Sequence, residues 1–108
     1  MTKKPPEISE IINATAKHFE ISKDDVLNFK KQSNIHNEAR LTALFVAANS
    51  GYSNDEIATA MNYKSAGTVS AKFTKAHNHF ATPKEDTDMA FRRDCRAVAK
   101  MLHVALPE

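Results

Sequence analysis

Apolar residues along this 108-residue chain recur at intervals of three and four, and strict alternation is almost absent, so the pattern predicts helices throughout. Ile8, Ile11, Ile12, Ala16 and Phe19 mark one face of a first helix. It follows Pro5 and Pro6, which can sit only at or before a helix start. Ser22-Lys23-Asp24-Asp25 opens a short second helix that turns Val26, Leu27 and Phe29 inward, and Lys30-Lys31-Gln32-Ser33-Asn34 is a polar loop. A third helix runs from Ile35 to Asn49, with Ala39, Leu44, Phe45 and either Ala47 or Ala48 as core positions, until Ser50-Gly51 breaks it.

Ser53-Asn54-Asp55-Glu56 is a capping box, in which the Ser hydroxyl accepts from the Glu56 amide and the Glu carboxylate reaches back to the Ser amide. Ile57, Ala60 and Met61 then share a buried face, and Asn62 stands where a left-handed residue would end the helix. Ser65 caps the next helix, which Val69 and Phe73 hold against the first as an i, i+4 pair. The two helices read as helix-turn-helix. Their polar face carries Lys64, Ser65, Thr68, Ser70, Lys72 and Lys75: cations for phosphates, hydroxyls for phosphates or base edges. A short capped helix pair with a lysine-bearing face is also an ordinary solvated hairpin, and two features count against that. Gly67, in the first turn of the second helix, costs about 1 kcal/mol relative to Ala, which makes sense if the backbone must approach something closely. Between Ile57 and Lys84 there is no acidic residue, whereas a solvated helical face usually mixes signs to gain i, i+4 pairs.

The last segment predicts a helix with Thr82 as N-cap, Pro83 at the first helical position and Glu85 three after the cap. Phe91, Cys95, Val98 and Leu102 form an apolar stripe that covers either the domain's own core or a second copy, the intramolecular answer being favoured. Arg92, Arg93, Arg96 and Lys100 line other faces, solvated or paired with acids, with a second phosphate contact as the other reading.

Composition fits one small helical domain: 42% hydrophobic, 26% charged and only two Gly. Two glycines cannot build a Walker-type phosphate loop, so no ATPase is expected. The lone Cys95 rules out an internal disulfide and a thiol-based zinc site. The five histidines are scattered, and no Ser, His and acid grouping follows from spacing, so the expectation is no enzyme, no cofactor and no metal. No stretch approaches the ~20 apolar residues of a membrane span and the start lacks a signal-peptide core, which predicts a cytoplasmic protein with no membrane partner. With a net charge of only +2, any basic surface must come from segregation of charge.

The segments His18 to Lys31, Ala39-Arg40 and Ser53 to Val69 resemble the C-terminal DNA-binding domain of the bacterial replication initiator DnaA. The resemblance covers Ile8 to His77 and rests on an order of parts: an aromatic-ended helix, a short Ser-capped helix, a basic loop, a long helix entered at Ala-Arg, then the helix-turn-helix. It implies an all-α, Trp-repressor-like helix-turn-helix fold of five to six helices that binds double-stranded DNA. The family's recognition helix opens Arg-Asp-His-Ser-Thr-Val, and here Lys64, Ser65, Ala66, Gly67, Thr68 and Val69 stand there, so only Thr68 and Val69 match. Lys64 keeps the charge without the planar fork of Arg. The family's basic loop survives as Lys30 and Lys31, and Arg40 sits where the family has a DNA contact, its alternative being a surface or internally paired Arg.

The expected organisation is a tail at 1–7, the DnaA-like domain at 8–81 and an extra C-terminal helix at 82–108 packed on it. The expected function is sequence-preferring DNA binding by a stand-alone, preferably monomeric protein regulating replication or transcription. DNA contacts fall to Lys30, Lys31, Arg40, Lys64, Ser65, Thr68, Ser70, Lys72 and Lys75. The competing expectation is a module that kept the fold, lost the base-reading residues and binds the initiator or another replication protein.

Overall fold

A computed structural model describes residues 6–28, 30 and 33–106, among which there are six helices and no strand. The first helix, α1 (Ile8–Phe19), buries Ile11, Ile12, Thr15 and Ala16, positions one turn apart on a single face. It stops at Glu20, whose left-handed φ of 58° lets Ile21 N–H return to the Ala16 carbonyl at 3.0 Å. Helix α2 (Lys23–Leu27) starts where the Ser22 hydroxyl accepts from Asp25 N–H at 3.0 Å, and it buries Val26. Phe29, expected to pack inward beside it, lies outside the described residues.

Helix α3 (Asn34–Asn49) is the central element. Ala39, Arg40 and every residue from Thr42 to Ala47 are buried, because α1, α2, α4, α5 and α6 all pack around it. A helix covered on so many sides has small and apolar residues all round, and its periodicity points to no one face. It ends at Ser50, and Gly51 (φ 99°) makes the turn that follows. Tyr52 then donates its hydroxyl to the Pro6 carbonyl at 2.6 Å, tying this turn to the start of α1.

Helix α4 (Asn54–Met61) opens with the expected capping box: Glu56 N–H to Ser53 Oγ is 3.1 Å and Ser53 N–H to Glu56 Oε1 is 3.0 Å. Asn62 ends it at φ 63°, and Tyr63 N–H bonds back to the Ala58 carbonyl at 2.9 Å. Helix α5 (Ala66–Ala81) follows, capped by Ser65, whose hydroxyl accepts from Thr68 N–H at 3.3 Å. The helix-turn-helix is therefore α4, a short turn and α5, with Ile57, Met61 and Val69 fully buried between them.

Helix α6 (Asp86–Leu102) begins later than the sequence suggests. Thr82, expected as its N-cap, instead closes α5 through its N–H to the Asn78 carbonyl, and Pro83 lies in the link. Asp88 decides the start. Its Oδ2 accepts from Lys84 N–H at 3.0 Å and Glu85 N–H at 3.3 Å, while its Oδ1 meets His79 Nδ1 of α5 at 2.5 Å. One carboxylate serving two amides and an imidazole outweighs a single threonine hydroxyl.

Phe91, Cys95 and Val98 are buried within the chain and Leu102 is half-buried, so the α6 stripe packs on the domain's own core against α1, α3 and α5. Phe45 anchors that contact, with ring centroids 4.9 Å from Phe80, 5.8 Å from Phe73 and 5.9 Å from Phe91. Each such buried ring is worth roughly 1.5–3 kcal/mol, and this aromatic cluster fixes α5, the helix that carries the lysine face, against α3 and α6. Burial also pushes the Cys95 thiol far above its ordinary range, so this cysteine is an inert core residue.

Candidate nucleic-acid interface

A groove of about 650 Å³ lies between the first half of α3 and the outward face of α5. Asn37, Glu38, Arg40 and Leu41 line it from α3, Asn62, Tyr63 and Lys64 from the turn, and Thr68, Lys72 and Lys75 from α5. Thr68, Lys72 and Lys75 stand at i, i+4 and i+7, which places them on one side of α5 over about 10 Å of its length. That side can be free because Val69, Ala76 and Phe80 are the residues that α5 buries. Helical periodicity alone separates core from cations here.

Charge in the rest of the domain is arranged so that these lysines are not neutralised. Among the described residues the close contacts between a carboxylate and a basic side chain are three, and each joins a histidine to an aspartate: His18 with Asp94 at 2.9 Å, His79 with Asp88 at 2.5 Å and His36 with Asp25 at 3.9 Å. Lys64, Lys72 and Lys75 are exposed and take part in none of them. Glu56, at the other end of the motif, is held below the ordinary carboxylate range by the Ser53 backbone and hydroxyl, so capping occupies it. Among the described residues, Glu38 is the one acid lining the groove.

Arg40 sits at the groove floor but is 3% exposed. Its guanidinium donates from Nε to the Val26 carbonyl (2.9 Å), from one Nη to Asn37 Oδ1 (2.7 Å) and from the other to the Asn28 carbonyl (2.5 Å). Of the two expectations for this residue, the internally paired one describes it. The planar fork fastens the end of α2 and the start of the following loop to α3. Burial lowers the Arg40 pKa, with Tyr63 acting in the opposite direction, and burial raises that of Tyr63, which roofs the same spot from the turn.

The remaining expected contacts are distributed differently. Lys30 is exposed, its backbone N–H bonded to Asn28 Oδ1, outside the residues that line the groove. Lys31 lies outside the described residues. The Ser65 hydroxyl is engaged in capping Thr68, and Ser70, two residues beyond Thr68, is turned about 200° away from it. Ser70 belongs to a different side of α5. Sequence reasoning did not single out Tyr63, Asn37, Leu41 or Glu38, which form the opposing wall. Asn37, one turn before Arg40, was the available signal for a side chain that orients a buried guanidinium.

Gly67 is exposed, and a methyl added there would meet only Ser65 Oγ at an ordinary 3.6 Å. Packing within the chain does not require a glycine at this position. Among the described residues no group of three or more His, Cys, Asp or Glu could hold a metal ion, and no helix is long and apolar enough to cross a membrane. Comparison of the chain with protein-family models, curated proteins and solved structures finds no match to any of them.

Proposed function

We propose that this domain binds double-stranded DNA with α5 laid against the duplex, in the manner of a DnaA-like helix-turn-helix protein acting in replication or transcription. The observation that carries the reading is the run of lysines from the turn onto α5: Lys64, Lys72 and Lys75 beside Thr68, open to a groove and engaged by no carboxylate among the described residues. Lysine ammonium groups are point charges suited to backbone phosphates, and Thr68 is the groove-lining α5 residue able to read a base edge. The succession of six helices with a capped helix pair at α4 and α5 supports the kinship with the initiator domain, whereas the burial of Arg40 departs from the DNA contact that the resemblance implies there. In this reading Arg40 shapes the surface from within, Lys64 adds a cation from the turn, and Lys30 is an auxiliary phosphate contact outside the groove.

A protein partner is the second reading, favoured by Glu38, Leu41 and Tyr63 on the groove's other wall. An occupant with mixed chemistry would suit that wall, whereas a phosphate would avoid Glu38. Titrating duplex at several salt concentrations against the Lys72→Ala, Lys75→Ala variant decides between them. DNA binding through this face predicts a similar weakening for every sequence and a salt slope lower by roughly 0.9 for each phosphate no longer neutralised. Duplex affinity unchanged by both substitutions would remove α5 from the DNA.

A further inference from the structure

We infer that the outer side of α6 is a second phosphate-binding surface for nucleic acid, built by Arg92, Arg93, Arg96 and Lys100. Helical spacing sets Arg93, Arg96 and Lys100 within about 60° of one another on the exposed side, away from the buried Phe91, Cys95 and Val98, with half-buried Arg92 at the edge of that flank. Asp94, the one acid between Met89 and Leu102, is withdrawn from them by its bond to His18 of α1. No arginine or lysine of α6 is in an ion pair among the described residues. Solvated helical faces mix signs, whereas from Met89 to Leu102 this flank carries cations alone.

Arg92 and Arg96 are also held in place. Their guanidinium carbons lie 5.5 and 5.8 Å from the centroid of Phe80, so an aromatic face of α5 supports them where a carboxylate usually would. Arg92 Nε is shielded from solvent and meets no acceptor among the described residues. Because Phe80 belongs to the same helix as Lys72 and Lys75, the α6 cations border the proposed DNA-reading helix. From Arg92 to Lys100 the row is about 12 Å long, a length of duplex that presents roughly seven phosphate charges. Arginine forks match phosphate oxygens in pairs, which makes a nucleic-acid backbone the fitting occupant. A lipid surface fits less well, since the apolar side of α6 is already spent on the core.

The inference takes its partner class from the DNA-binding reading, and the experiment separates the two. Arg93→Gln, Arg96→Gln, Lys100→Gln and Lys72→Ala, Lys75→Ala variants are titrated beside the parent against duplexes of about one and about three helical turns, and in a capture assay joining two labelled duplexes. With three phosphates left unneutralised the salt slope should fall by about 2.7, equivalent to binding weaker on the order of a hundredfold at physiological salt. Arg93→Lys, Arg96→Lys should retain the parent slope. Arg93→Gln alone should lower the slope by about 0.9, and it covers the case in which the triple variant fails to fold. A lower slope on one duplex places the α6 contact on the DNA read by α5, whereas a defect confined to capture places it on a second duplex. Weakening by the α5 variant with an unaltered α6 variant overturns this inference and leaves the DNA reading intact. Weakening by the α6 variant alone removes α5 instead, and a parent that binds no duplex overturns both.

Discussion

Arg40 offers the clearest separation of a structural role from a DNA contact, because the two roles move different observables. Replacing it with Ala deletes charge-assisted bonds to Val26 O, Asn28 O and Asn37 Oδ1 in a site that is 3% exposed. A hydrogen bond to a charged group contributes about 1.5–3 kcal/mol, and such bonds within one fork are not additive. A loss of about 3–5 kcal/mol is therefore expected, the size usual for breaking a buried charged arrangement. In a domain of this length that lowers Tm by roughly 12 °C or more. Arg40→Lys keeps the charge but cannot reach acceptors on three sides, so its Tm should fall between Ala and the parent. Thermal unfolding followed by circular dichroism gives the stability, and DNA titration below the variant's own Tm gives the salt slope. A Tm within a few degrees of the parent, combined with a slope lower by about 0.9, would refute the buried role and make Arg40 a phosphate contact.

Two further outcomes test the site and its support. Gly67→Ala adds a methyl with room to spare in the first turn of α5, so the helix should gain about 0.4–1 kcal/mol; if duplex backbone approaches this turn, affinity falls while Tm rises, and an unchanged affinity would show that nothing comes close. Asp88 is held below the ordinary aspartate range, first by Lys84 N–H, with Glu85 N–H and His79 adding to it. A depressed folded pKa contributes stability that is fully present above the unfolded value of about 3.9 and is lost as pH falls through the folded one. Asp88→Asn should thus be less stable than the parent at neutral pH, with the difference shrinking below about pH 4. Parallel unfolding curves at all pH values would show that the carboxylate charge contributes nothing.

Local chemistry makes the helix pair legible in the sequence. Ser22, Ser53 and Ser65 each cap the helix their sequence context implies, and the spacing of Val69 with Phe73 separated the inner side of α5 from the lysine side. What stayed hidden depends on contacts distant in sequence. Arg40 is buried because backbone carbonyls 12 and 14 residues earlier accept from it, and carbonyls leave no trace in side-chain patterning. Helix α3 is covered nearly all round, so its periodicity could not tell which residues face the groove. The start of α6 was misplaced because Thr82-Pro83 satisfies the local rules for a helix beginning, while His79, from the preceding helix, helps Asp88 set a later one. His18 and Asp94 stand 76 residues apart, and only the packing of α6 on α1 joins them.

Those histidine pairings bear on how a chain with a net charge of +2 can offer basic surfaces at all. Uniformly mixed charges would screen one another within a Debye length of about 8 Å, leaving little field for a polyanion. Here several carboxylates are drawn into other work, while Glu38 stays at the groove. Glu56 closes a capping box, Asp88 caps α6, Asp94 and Asp25 meet imidazoles, and Asp24 lies in the first turn of α2 where the helix dipole favours it. Each arrangement fixes an acid at a helix end or beside a histidine, away from the outward sides of α5 and α6. The lysines of α5 and the arginines of α6 enter none of these contacts, so charge is segregated although its total is only +2. Neutralising one cation on either side should then alter duplex binding more than adding one acid on α1 or α2, where carboxylates already stand.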